Sequence, residues 1–260
     1  VSEDFRCTVA DAVLTVTIDR PQRMNAFGIR AARELAGIIE GADADPAVRV
    51  VVITGEGRAF CTGADLAGDK AEPQEALDAV NAYVRAIVGA AIPVVAKVNG
   101  PCAGMAVGLA LAADLSFVAE DAYFLLPFVG IGLLPDAGTT ALVPAAIGRT
   151  RALGMALLGE RLYGPEALRA GMVTSVHPPG ELDDAVAAAA AKLASGPREA
   201  IAATKRALNA ATLAGLDEAL RRETAEQVHL LRTDDHREGV AAMLGKRPPS
   251  FAHRDERSPA

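Results

Sequence analysis

Leu14, Val16 and Ile18 alternate with Thr15, Thr17 and Asp19, the period-two pattern of a half-buried strand, and Arg20-Pro21 ends it. Leu35, Ile38 and Ile39 then form an apolar stripe at helical spacing, which predicts a helix over Ile29 to Glu40. The run from Arg49 to Thr54 is almost entirely β-branched and is bounded by Gly55 and Gly57, as in a strand covered on both faces. A loop over 56–70 leads to a helix over 74–90, a second buried strand at 93–98, an Ala-rich helix at 104–112 and a strand at 115–119. Strands separated by helices and buried on both faces predict a parallel sheet built from βαβ units. After Pro135 helical periods dominate, over 139–147, 151–158, 165–170, 182–194, 197–211, 216–231 and 234–244.

The pattern divides the chain into an α/β core over 1–195 and a helical region over 196–260. The helices of the second region are too few to enclose a core of their own. Leu208, Leu213, Leu216, Leu220, Val228, Leu230 and Leu231 are therefore expected to bury against the core or against another subunit. A homo-oligomer is the economical reading.

Composition narrows the function classes. The 260 residues are 51% apolar and 23% charged, which excludes disorder and collagen-like repetition. The net charge is −7 and no basic run exceeds Lys205-Arg206 or Lys246-Arg247, which argues against a dedicated nucleic-acid binder. The longest uncharged stretch, 98–113, is broken by Asn99-Gly100-Pro101 and is shorter than the ~20 apolar residues of a membrane span. Three scattered cysteines without a CxxC pair predict a reduced, cytoplasmic chain with no cysteine zinc site, and Val1 to Arg6 lacks the pattern of a secretory leader.

Common catalytic motifs are missing. Gly130-Ile131-Gly132-Leu133-Leu134-Pro135 replaces the third glycine of a dinucleotide fingerprint with proline, and neither a phosphate-binding GxxxxGK[ST] nor a GxSxG occurs. Cys61 and Cys102 have no histidine before His177 to activate them and read as small buried apolar residues. What stands out instead are three glycine-rich junctions after predicted strands: Phe60 to Leu66, Asn99 to Met105, and Gly130 to Gly138. Such turns leave backbone N–H groups free to hold an oxyanion, though tight βα turns alone would look the same.

Taken in order, these segments resemble the crotonase superfamily, the enoyl-CoA hydratases and isomerases, over nearly the whole chain. Arg20-Pro21-Gln22-Arg23-Met24-Asn25-Ala26 is similar to the family's R-P-x-x-x-N segment, and Phe60-Cys61-Thr62-Gly63-Ala64-Asp65-Leu66 to its F-x-x-G-A-D-L. Asn99-Gly100 with the following helix, Gly132-Leu133-Leu134-Pro135, and Gly239 to Phe251 match later family segments. The resemblance implies stacked ββα units with C-terminal helices that build homotrimers or homohexamers. It also implies an acyl-CoA substrate with no further cofactor, since coenzyme A is part of the substrate. By the same resemblance the N–H groups of Ala64 and Met105 form the oxyanion hole. Arg23 would face the coenzyme phosphates, Met24 and Ala26 would line its path, and Leu66 and Gly104 the acyl channel.

Two departures change the expected chemistry. Family hydratases hold their water between two glutamates, and this chain has Gly108 and Phe128 at those positions. Neither residue moves a proton. The turn Pro135-Asp136-Ala137-Gly138 resembles instead that of phenylacetate-pathway enoyl-CoA isomerases and dienoyl-CoA isomerases, in which an aspartate shuttles a proton between carbons. Asp136 is thus the candidate acid–base residue, and an N-cap role for it before the predicted helix stays open. Asp65 reads as a turn residue beside the substrate. An isomerase is the leading reading; a hydratase with another base and an acyl-CoA-binding protein without activity are the alternatives.

Overall fold

The computed structural model describes residues 4–65, 72–178 and 180–251. A two-residue turn with Asp11 and Ala12 both at left-handed φ (51° and 61°) joins β1 (Phe5–Ala10) to β2 (Val13–Ile18) as an antiparallel hairpin. The periodicity did not reveal β1, because only Phe5 of its six residues is buried and it lies at the sheet edge. From β2 onward the sheet is parallel, through β3 (Val50–Gly55), β4 (Val94–Val98), β6 (Leu115–Ala119) and β9 (Ser175–His177). Every residue of β3 is buried, as its β-branched run requires.

A second, three-stranded sheet joins β5 (Cys102–Ala103), β7 (Tyr123–Leu125) and β8 (Leu162–Tyr163). Its strands are two or three residues long, too short to leave a period in the sequence. Between the strands lie α1 (Ile29–Ala44), α2 (Pro73–Gly89) and α3 (Met105–Ala112). α1 runs one turn past the predicted end because Gly41-Ala42-Asp43-Ala44 contains no breaker stronger than a single glycine. α3 is buried on nearly all sides, so it is the central rod of the molecule rather than an amphipathic cover.

The second half follows as α4 (Thr139–Ile147), α5 (Arg149–Leu158), α6 (Gly164–Ala170), α7 (Leu182–Ala194), α8 (Arg198–Thr212), α9 (Leu216–Leu230) and α10 (Asp234–Leu244). α9 packs on the core of its own chain through Leu216 and Leu220, each Leu contributing on the order of 1.5–3 kcal/mol when fully buried. Asn81 on α2 donates to Thr224 on α9 at 2.8 Å, and the Lys205 ammonium of α8 is buried against Asp114 at 2.9 Å and the Ile87 and Ile92 carbonyls. Leu208 and Leu244 remain exposed. No described helix is long and apolar enough to cross a membrane.

Candidate active site

The loop carrying Ala64 is held between two neighbours by backbone bonds. On one side Phe27 N–H donates to Gly63 O (3.1 Å) and Asp65 N–H donates to Phe27 O (3.2 Å). That pairing turns the N–H of Ala64 itself away from Phe27. On the other side Cys61 N–H donates to Pro101 O (3.2 Å) and Ala103 N–H to Cys61 O (3.0 Å). The two loops then approach so closely at Gly63 and Gly104 that a Cβ on Gly63 would lie 2.9 Å from Ala103 O. Both glycines also have positive φ, +97° and +61°, which side chains resist.

Ala64 and Met105 each follow one of these apposed glycines. Met105 opens α3, where the first N–H groups have no intrahelical partner. Neither N–H has a backbone acceptor among the described residues. The Tyr83 hydroxyl, wholly buried, donates to the Met105 carbonyl at 3.0 Å and fixes that end of the loop. Tyr83 escaped the sequence reading because it lies in the apolar stripe of α2.

One turn along α3, about 4.5 Å from Met105 along the axis, Gly108 touches the turn that carries Asp136. A Cβ on Gly108 would lie 2.2 Å from Ala137 O, so any side chain there would displace this turn. Phe128 is buried, and its ring tip lies 3.9 Å from where a Cβ of Gly104 would stand. The two expected departures therefore have a structural counterpart: one position is filled by backbone and the other by an aromatic ring.

Asp136 is not the N-cap of α4. Gly138 occupies that position, and the free N–H groups there are taken by Glu223 of α9, which accepts from Gly138 N–H (2.8 Å), Thr140 N–H (2.9 Å) and the Thr140 hydroxyl. The Asp136 carboxylate points elsewhere. Its Oδ2 accepts from Gln227 Nε2 at 2.9 Å, and its Oδ1 is inaccessible to solvent with no hydrogen-bond partner among the described residues. Burial pushes this carboxyl up to about 7. The Gln227 bond opposes the shift, and the nearby Glu223 charge adds to it. Glu223 is itself raised by burial, against the bonds from Thr140 and Gly138.

Of the other expected site residues, Ala26 and Met24 border the 59–65 loop. Met24 O accepts from Thr62 N–H (3.1 Å), and Ala26 O from Arg20 (2.5 Å). Arg23 is exposed in the 3₁₀ turn Pro21–Arg23 and forms no ion pair among the described residues. Asp65 pairs with Arg20 at 3.0 Å, and Asn25 is fully buried, donating to Glu56 O and Ala59 O. Both act as pins of the loop. Leu66 lies outside the described residues. Burial pushes the Cys61 thiol up to about 12 and raises that of Cys102, which removes both as nucleophiles at neutral pH. No cluster of three metal-ligating side chains forms among the described residues.

Glu223 and Gln227 were not among the expected site residues. A signal existed: α9 buries Leu216, Ala219, Leu220, Glu223, Thr224 and Gln227 on one face, so three polar residues continue an apolar stripe.

Comparison with known proteins gives the family. A family model for enoyl-CoA hydratase/isomerase matches residues 8–254. The chain is 40% identical over 255 residues to a probable enoyl-CoA hydratase of Rhodobacter capsulatus, covering 96% of this chain and 98% of that one. It is 36% identical over 251 residues to the 1,2-epoxyphenylacetyl-CoA isomerase of Escherichia coli, covering 94% and 96%. The crystal structure of an enoyl-CoA hydratase from Mycobacterium avium subsp. paratuberculosis superposes with a TM-score of 0.91 at 45% identity, over 96% of this chain and 99% of that one. By fold and sequence alike, the chain belongs to the enoyl-CoA hydratase/isomerase family, the crotonase superfamily.

Proposed function

We propose that the protein is an enoyl-CoA isomerase that moves a double bond along an acyl-CoA. The observation that supports this reading is the buried, unpartnered Oδ1 of Asp136, on a carboxyl raised to about 7, in a turn that contacts α3 at Gly108, three residues from Met105, whose N–H, like that of Ala64, has no backbone acceptor among the described residues. In the proposed reaction Asp136 takes the proton from C2 of a β,γ-enoyl thioester. The electron pair moves onto the thioester oxygen, which the two N–H groups hold. The protonated Asp136 then returns the proton to C4, and the double bond re-forms between C2 and C3. Each oxyanion donor is typically worth ~3 kcal/mol in such chemistry. A base near neutrality suits a residue that must both take and return a proton.

One base suffices for this reaction, whereas hydration needs a base for water and an acid for carbon. The positions expected to supply those groups hold Gly108 and Phe128, and Glu223 is occupied with capping α4. The relative from E. coli carries the name of an isomerase, and the Rhodobacter relative that of a probable hydratase. In this reading Arg23 meets the coenzyme phosphates, Met24, Ala26 and Asp65 line the approach, and Leu66, Gly104 and Phe128 bound the acyl group. The exposed Leu208 and Leu244 support assembly into a homotrimer or homohexamer.

The test is isomerisation of β,γ-enoyl-CoA by wild type and by Asp136→Asn, with crotonyl-CoA hydration measured alongside. A loss of ~10²–10⁴ in kcat with little change in KM is expected for the variant, and hydration should be slow in both. Rapid hydration by the wild type would replace this reading with a hydratase. Binding of acyl-CoAs with neither reaction would leave a binding protein.

A further inference from the structure

We propose that Gln227 and Glu223, one turn apart on α9, form the positioning pair for Asp136: Gln227 aims the carboxylate, and Glu223 fixes the turn that carries it. The inference rests on Asp136 being the proton-transfer residue.

Gln227 grips Leu134 with both ends of its amide. Oε1 accepts from Leu134 N–H at 3.2 Å, and Nε2 donates to Leu134 O at 2.9 Å. Reversing the amide would set donor against donor and acceptor against acceptor, so only Nε2 can face Asp136. It donates to Oδ2 at 2.9 Å and leaves Oδ1 without a partner. The result is a carboxylate with one oxygen tied and the other buried without a hydrogen-bond partner. Glu223 grips the far side of the same turn through Gly138 N–H and Thr140. The turn is therefore clamped on both sides of Asp136, and His236 of α10, with Nδ1 2.9 Å from Ile131 O, adds a third hold upstream.

These polar groups occupy a helix face that packing alone would fill with apolar residues. Burying an amide and a carboxylate there is costly unless each is hydrogen-bonded, and every side-chain oxygen and nitrogen of the two has a partner. The pair also acts on the proton affinity of Asp136 in opposite senses. The Gln227 donor favours the ionised form, and the Glu223 charge disfavours it. The titratable groups facing Asp136 are Glu223 on α9 and Tyr83 on α2, whose own ionisation burial and the Asp136 charge suppress.

The experiment compares wild type, Gln227→Met and Glu223→Gln by two readouts: the pH profile of isomerisation, and the infrared carboxyl band assigned to Asp136 by difference against Asp136→Asn. Gln227→Met should move the acid limb and the band titration upward by about one pH unit, with kcat at pH 6 falling about tenfold and KM within twofold. Glu223→Gln should move both downward by a similar amount. If both variants fold and neither limb nor band moves, the two residues are structural only and the proposal fails. If Gln227→Met does not fold, Glu223→Gln decides alone, and an unmoved titration overturns the proposal. Full isomerase activity in Asp136→Asn would instead overturn the assignment of the base, whatever the bands of the other variants do.

Discussion

The proposed oxyanion end of the site and the Asp136 end lie about one helical turn apart along α3, yet different parts of the chain build them. The first is made of backbone: strand-like pairing of 61–65 with its neighbours, two glycines in contact, and the start of a helix. Only the two glycines are tightly constrained there; at Ala64 and Met105 it is the backbone N–H that would meet the substrate, so a Met side chain is compatible with the proposed oxyanion loop. The second is made of side chains that arrive from some 90 residues away, in α9. A backbone site tolerates sequence change outside its glycines and offers a fixed geometry. A side-chain site allows the base to be placed, and its proton affinity set, independently of the oxyanion hole.

Disturbing the two ends should therefore give different signatures. Gly63→Ala forces a Cβ into the Ala103 carbonyl at a φ of +97°, so the hole opens. The expected loss is ~10²–10³ in kcat with an unmoved acid limb, measured by steady-state kinetics across pH. Asp136→Asn should show itself in stability as well. The folded-state carboxyl titrates near 7 against about 3.9 unfolded, so the native state binds the extra proton between these values. Wild-type stability should then fall as pH rises from about 4 through 7, by at most about 4 kcal/mol, relative to the variant. Urea denaturation of both proteins at pH 4, 6 and 8 checks this.

Gly108→Ala strikes the contact between α3 and the base turn. It should cost about 1–3 kcal/mol of stability and lower activity through displacement of Asp136, seen as a lower melting temperature together with a shifted pH profile. Tyr83→Phe should have the smallest effect. It removes one bond to Met105 O, worth about 0.5–1.5 kcal/mol, and should reduce kcat about tenfold or less without moving the limb.

The same contrast explains what the sequence made legible. β3, β4 and α3 declared themselves as mainly apolar runs bounded by glycine or proline, as elements buried on both faces do, and the helices after Pro135 by their helical period. The glycine junctions were legible because left-handed or crowded backbone leaves few alternatives to glycine. β1, with one buried residue, and the short strands β5, β7 and β8 carry no period to read. Asp136 was recognised by its turn, but its partners were not, because a hydrogen bond between residues 136 and 227 leaves no local pattern. An N-cap role also fits an aspartate just before a helix. The cap is instead supplied by Glu223, which frees Asp136.

The most direct measurement of the central claim is exchange of the α-proton of a saturated acyl-CoA into deuterated water, followed by NMR from pH 5 to 9. It reads proton removal at C2 without requiring a double bond to move. Wild type should exchange at a rate that rises through about pH 7 and then levels, matching the raised carboxyl of Asp136. Asp136→Asn, with the oxyanion hole intact, should show no exchange at any pH. Exchange in the variant at the wild-type rate would contradict the account, because the proton would then be leaving to another base.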